Sequence, residues 1–193
     1  MRVARILVPA LAGFGLLLGG ASRVRATSVE RFDLKEMTQR AEVIVHGRVT
    51  STASRVDAKG SIVTDIKLEV TELFKSKDGQ DKTQVKVFEF TVYGGIVGSR
   101  GSAISGAPSF TQGEEVLLFL SKSNDAGLRV CIGLAQGKYT IRLEGGRKLA
   151  YRNLEGLRLV DPGTGEVQEP TKPEQGVPFD ELRERLKSAL ESK

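Results

Sequence analysis

The chain holds one histidine, His46, and one cysteine, Cys131, so acid–base, nucleophilic or metal chemistry has few places to sit. A histidine base of the triad type needs a nucleophile within hydrogen-bond reach and an acid to orient it. No spacing around His46 nominates either, and its setting in Val43-Ile44-Val45-His46-Gly47 reads as a structural histidine in an apolar strand. Cys131, between Val130 and Ile132, reads as a small core or face residue rather than a reactive thiol. Together they fall short of the four ligands of a structural zinc site, and no metal or other cofactor is expected. Glu114 and Glu115 are adjacent, which on a strand sends them to opposite faces and removes them as a paired-carboxylate site. Gly133-Leu134-Ala135-Gln136-Gly137-Lys138-Tyr139 is one residue too short between its glycines for a phosphate loop, and Tyr139 stands where a magnesium-binding hydroxyl belongs. It reads as a tight connection between strands.

What remains is binding. The loop 94–108 carries Gly94, Gly95, Gly98, Gly101 and Gly106, interleaved with Ser99, Arg100, Ser102 and Ser105. Glycine lets a backbone come close to a ligand, and a long loop at the end of a β-scaffold is a common place for binding residues. The binding candidates are Gly94, Gly95, Gly98, Arg100 and Ile104, with Arg100 as the long cation and Ile104 as the largest apolar contact. The loop contains no Gly-x-Ser-x-Gly elbow.

The elements that must position this loop are mostly strands. Asp33 followed by Glu36, with Leu34, Met37 and Ala41 on one face, predicts a short capped helix over 34–40. Residues 43–49 read as a strand, 50–60 as a polar stretch and turn, and 62–71 as a long half-buried strand with Ile62, Thr64, Ile66, Leu68 and Val70 on one face. A charged turn at Asp78-Gly79 leads to a strand over 84–92. Val116-Leu117-Leu118-Phe119-Leu120 is apolar on both faces and predicts a central strand. Strands over 128–132 and 138–143 follow, the second paired with 148–151 across Gly145-Gly146. The predicted core includes Val43, Val45, Ile66, Leu68, Val70, Val87, Val116, Leu118 and Leu120. Residues 161–178 hold four of the six prolines and read as a linker. Phe179, Leu182, Leu186, Ala189 and Leu190 then line one face of a C-terminal amphipathic helix over 179–193.

These elements predict a mainly β fold, a small antiparallel OB-like barrel of five to six strands with a short N-terminal helix and a C-terminal helix. An immunoglobulin-like sandwich is the alternative; it more often shows seven shorter strands and a core tryptophan, and this sequence has no tryptophan. The expected organisation is a signal peptide over 1–26, a β-barrel domain over 27–160, the linker and the helix. Arg2 and Arg5 precede an apolar segment over 6–18 and small residues at 19–22. That segment is shorter than the roughly 20 residues of a spanning helix, so cleavage after Ala26, or after Ser22, and no membrane attachment thereafter are expected. Residues 1–26 hold four of the 29 basic residues and none of the 24 acidic ones. The remainder is nearly neutral, so a nucleic-acid reading, which needs a clustered basic face, loses its main support and no nucleic-acid partner is expected.

Leu34, Ala41, Glu42, Gly47 and Val49, then Gly94-Gly95-x-x-Gly98, Gly-Ala-Pro-x-Phe-x-x-Gly-Glu-Glu-Val from 106 to 116, Phe119-Leu120 and Gly-Leu-Ala-Gln-Gly-Lys from 133 to 138 form a pattern that resembles a group of uncharacterised exported bacterial proteins. In that group the domain stands alone or accompanies secreted metalloprotease-type proteins. The resemblance covers residues 30–145 and implies an exported OB-like protein with no catalytic residues to carry over. The barrel is loosely similar to that of tissue inhibitors of metalloproteinases, but this sequence lacks their N-terminal cysteine and their disulfides. The expected function is an exported, periplasmic or secreted, non-enzymatic binding module whose partner is a protein, glycan or peptide. The alternatives are an inhibitor or folding partner of a secreted protease, and an enzyme.

Overall fold

The structure, a computed structural model, describes residues 27–77, 84–170, 172 and 174–192. Residues 1–26, expected as a signal peptide, and Asp78-Gly79, expected as a turn, lie outside the described residues. In chain order the elements are β1 (Thr27–Glu30), α1 (Leu34–Arg40), β2 (Val43–Val56), β3 (Ile62–Ser76), β4 (Val87–Tyr93), β5 (Gly95–Val97), β6 (Arg100–Ser102) and β7 (Glu115–Leu120). A 3-10 turn (Leu134–Gly137) then leads into β8 (Lys138–Glu144), β9 (Arg147–Tyr151), β10 (Leu157–Val160), β11 (Val167–Gln168), β12 (Val177–Pro178) and α2 (Phe179–Glu191).

The fold is mainly β with two helices, and its centre is one sheet of seven strands ordered β12-β9-β8-β7-β2-β3-β4. All neighbours in it are antiparallel. A second sheet, β1-β10-β11, contains the parallel pair β1–β10, and β5–β6 form a separate two-stranded ribbon. The sheets do not close into a barrel by strand pairing: β4 and β12 stand at opposite ends of the strand order.

The β2–β3 hairpin is longer than the sequence suggests, because the mostly polar residues 51–56 continue the ladder. Threonine and serine fit a pleated ribbon whose outer face meets water. The turn itself is confined to residues 57–61, where Asp57 Oδ1 accepts from the amides of Lys59 and Ser61 and Gly60 takes φ 81°. Register shifts at 44/45, 46/47 and 49/51 bend the hairpin, as bulges do. At Gly47 an added Cβ would run into the Glu69 carbonyl of the neighbouring strand, so glycine is required there by close backbone approach.

Two cores lie on opposite faces of the large sheet. On one face, Ile44, Leu117, Phe119 and Tyr139 pack under Met37 of α1 and its C-cap Ala41 and under Phe179, Leu182 and Leu186 of α2. The α1 cap has both reciprocal bonds, Glu36 N to Asp33 Oδ1 at 2.7 Å and Asp33 N to Glu36 Oε2 at 2.8 Å. On the other face, Val43, Val45, Ile66, Leu68, Phe88, Phe90, Val116, Leu118 and Leu120 form the second core, with Val70 at its margin. β7 supplies both faces by alternation, Val116, Leu118 and Leu120 to one and Leu117 and Phe119 to the other. Val87, predicted to be in the core, is 49% exposed. It opens β4, an end strand of the sheet, and the alternation there turns Phe88 and Phe90 inward instead.

The strand predicted over 128–132 is reduced to two isolated bridges, Thr91↔Leu128 and Leu120↔Cys131. Arg129 N bonds Thr91 O of β4, whereas Ser121 N bonds Val130 O and Ile132 N bonds Phe119 O of β7. The segment divides its bonds between two strands and completes a ladder with neither. In the stretch 161–178, β11 and β12 form, and Glu174 accepts both Arg152 Nε at 2.6 Å and Arg152 NH2 at 2.9 Å.

Candidate functional site

Between Ile66 and the buried Ile62 at the tip of the β2–β3 hairpin, the second core is interrupted by hydroxyl side chains. Beyond Ile66 and Phe90, the same face carries Thr52 and Ser54 from β2 and Thr64 from β3, with Ser54 and Thr64 in register. Thr64 Oγ1 donates to Gly94 O at 2.6 Å. That uses its one proton, so Ser54 Oγ donates to Thr64 Oγ1 across 2.9 Å. This relay fixes the start of the glycine-rich segment on the hairpin. Gly94 and Gly95 take φ 95° and 135°, and a Cβ on Gly95 would run into Ser54 Oγ and Thr64 Oγ1. Only glycine lets the β5–β6 ribbon lie this close.

Between the hairpin, the ribbon and the segment 102–110 lies a cleft of about 410 Å3, within the usual range of ligand sites. Thr52, Ser54 and Thr64 form its hydroxyl floor, Tyr93, Ile96 and Ile104 flank it, and Phe110 closes the back. Phe110 is held edge-on against Phe90, ring centroids 5.7 Å apart at 78°. The lining contains no Asp, Glu, Lys, Arg or His. A smaller, more enclosed hollow beside it adds Arg129, Val130 and Leu134 and reaches the buried Cys131. Of the eight exposed large apolar side chains among the described residues, Tyr93, Ile96, Ile104 and Val130 border these two hollows.

The back wall is pinned from below by an ion pair. Lys138, 9% exposed, donates through Nζ to Ser109 O at 2.6 Å and to Glu114 Oε1 and Oε2 at 2.7 and 2.8 Å. Thr140 Oγ1 donates to Glu114 Oε1 at 2.8 Å, and Lys138 Nζ sits 4.9 Å from the Phe110 ring centroid. With both charges hydrogen-bonded in a partly buried setting, the pair specifies where residues 109–114 lie. The lysine that gave Gly133–Lys138 its likeness to a phosphate loop is thus spent on this anchor.

Of the residues singled out from sequence, Gly94, Gly95 and Ile104 line the cleft. Gly98 (φ 59°) precedes β6, and Arg100 pairs with Val97 in the ribbon; neither lines the cleft. Sequence reasoning missed Thr52, Ser54, Thr64, Tyr93 and Phe110. The alternation of β3 already put Thr64 on the face of Ile66. Thr52 and Ser54 were hidden by reading 50–60 as a turn.

His46 belongs to the opposite, helix-covered face. It is 3% exposed, its ring centroid lies 4.6 Å from that of Phe179, and its Nε2 is 2.8 Å from Glu115 Oε1. A carboxylate only accepts, so Nε2 carries the proton. Glu115 also accepts Lys148 Nζ at 2.6 Å and Arg48 NH2 at 3.3 Å. Burial pushes the His46 imidazole below its ordinary value despite the Glu115 bond. For Glu115, burial acts upward, but the hydrogen bonds from Lys148 and His46 outweigh it and hold the carboxyl below its ordinary value. Burial pushes the Cys131 thiol up to about 12, far from thiolate chemistry. Among the described residues, no group of three or more His, Cys, Asp and Glu is placed to hold a metal ion, and no helix is long and apolar enough to cross a membrane. The arrangement of the cleft suits holding a neutral group rather than transferring protons to one.

Compared with protein-family models and with curated proteins, the chain matches none.

Proposed function

We propose that this protein is an exported, non-enzymatic binding module and that the cleft between the β2–β3 hairpin and the glycine-rich segment is its binding site. The observation that carries the reading is the concentration of exposed apolar side chains around one charge-free hollow. Scattered surface hydrophobes are ordinary, whereas a contiguous set around a concavity is a recognition feature. Export is supported by the composition of residues 1–26, a basic start followed by an apolar segment and small residues. The order β4-β3-β2-β7-β8 supports relating the scaffold to an OB-like barrel opened between its third and fifth strands, with the bridges at Thr91 and Leu120 spanning part of the gap.

The test is affinity capture from the exported fraction of the source cells with the wild-type protein and with Ile104→Asp, which places a charge at the rim of the cleft. Capture by the wild type and loss with the variant, at equal thermal stability, is the expected result. Equal capture by both moves the binding surface elsewhere. A secreted protease recovered in stoichiometric amount selects the inhibitor reading. Turnover of a substrate that His46→Ala abolishes in a folded protein selects an enzyme.

A further inference from the structure

Resting on the cleft as binding site, the geometry points to its occupant: we infer that it is an extended, uncharged peptide segment, bound through its main chain and one or two aliphatic or aromatic side chains. Charge is the first discriminator. Every side chain lining the cleft is neutral, in a chain whose residues are 27% charged. A charged ligand group would be desolvated there with no counter-charge to meet it.

The main chain of the back wall is the second. Among the described residues, the amides of Ser109 and Phe110 have no hydrogen-bond partner, although both residues line the cleft and the ion pair below holds Ser109 O in place. Amides without a protein partner in this wall can pair with the carbonyls of another chain, one at a time because successive N–H groups point to opposite sides. Hydrocarbon laid against it would strand those donors, which argues against a lipid. The lining contains no Asn, Gln, Asp, Glu or Arg, the planar groups that grip vicinal sugar hydroxyls, which argues against a glycan. Ile96, 74% exposed, and Ile104, 43% exposed, are placed to take an apolar side chain between them and Phe110.

The experiment is selection of random heptapeptides displayed on phage against the immobilised protein, followed by affinity measurement with synthetic peptides. Selected sequences are expected to be uncharged and to share an aliphatic or aromatic position. Replacing that position by Asp or Lys should weaken binding at least about tenfold. Ile104→Asp should do the same, and Ser109→Pro, which removes one free amide, should weaken binding about tenfold with thermal stability unchanged. Selected peptides that carry charge at the shared position, or that bind Ser109→Pro and Ile104→Asp as tightly as wild type, overturn the inference. If no peptide is enriched while a neutral oligosaccharide or alkyl ligand binds and is lost on Ile104→Asp, the peptide class falls and the cleft stands. If peptides bind but neither variant weakens them, the cleft itself falls.

Discussion

The two faces of the seven-stranded sheet are finished in different ways. On one, helices from the two ends of the described chain, α1 and α2, pack on each other and on the sheet, and even the histidine is bonded and covered. On the other, the apolar set extends to Ile66, Phe90, Val92 and Phe110. It then gives way to Thr52, Ser54 and Thr64 under a glycine-built ribbon. The sealed face uses its side chains for stability. The open face ends in a cleft held in shape by hydrogen bonds that a ligand need not disturb. Under the proposed function, such a scaffold separates the residues that keep it folded from those that would recognise a partner.

That separation breaks most readily at the Lys138–Glu114 pair, where folding and cleft shape share residues. Lys138→Ala leaves Glu114 without its lysine in a partly buried site and should cost about 3–5 kcal/mol, read by urea denaturation. The same variant should raise hydrogen exchange across residues 107–114.

The two cores themselves should respond alike. Leu118→Ala on the open face and Leu186→Ala on the helix face each remove a fully buried side chain and should each cost about 2–5 kcal/mol, through lost burial plus a cavity. Only Leu118→Ala should also perturb the cleft, since Leu118 shares its cluster with Phe90 and Phe110.

Much of the core was legible in the sequence, because alternation states which residues share a face: Val45, Ile66, Leu68, Leu118 and Leu120 fall where period two puts them. The α1 cap was legible for a similar reason, since Asp33 and Glu36 bond locally. Two kinds of information were not. Residues 50–56 are mostly polar, and their pairing with β3 makes them a strand. The cleft floor depends on that long-range register. Residues 128–132 have strand-like composition, yet tertiary bonds to two different strands keep them irregular. Likewise Glu114 and Glu115 were correctly sent to opposite faces, but their partners, Lys138 and His46, are set by the register of β7 with β8 and β2.

Acid should sharpen the contrast between the faces. His46 titrates below its ordinary value when folded, so the unfolded chain binds its proton more readily. The stability it contributes is present above about pH 6.5 and is lost as pH falls toward the folded value. Thermal denaturation from about pH 7.5 down to pH 5 should show falling stability, and His46→Gln should flatten that slope. The depressed carboxylates Asp65, Glu115 and Asp161 act in the same direction in a lower window. With no Asp, Glu, His, Lys or Arg in its lining, the cleft should bind a neutral ligand with constant affinity across the upper window.

The smallest effect on stability is expected at the rim. Ile104→Asp, at an exposed position, should change stability by within about 0.5 kcal/mol. Cutting the whole loop 94–108 down to a short turn would be a poorer probe, because Gly94 O accepts from Thr64 and Gly106 O accepts from the Ala135 amide.

Whether neutral groups bind in the cleft is tested most directly by amide chemical-shift mapping by NMR with small neutral probes, isopropanol and phenol, which needs no knowledge of the natural ligand. The shifts should cluster on Thr52, Ser54, Tyr93, Gly95, Ile96, Ile104, Ser109 and Phe110, and should weaken in Ile104→Asp. Shifts gathered instead on α1 and α2, or spread evenly over the surface, would contradict binding in the cleft.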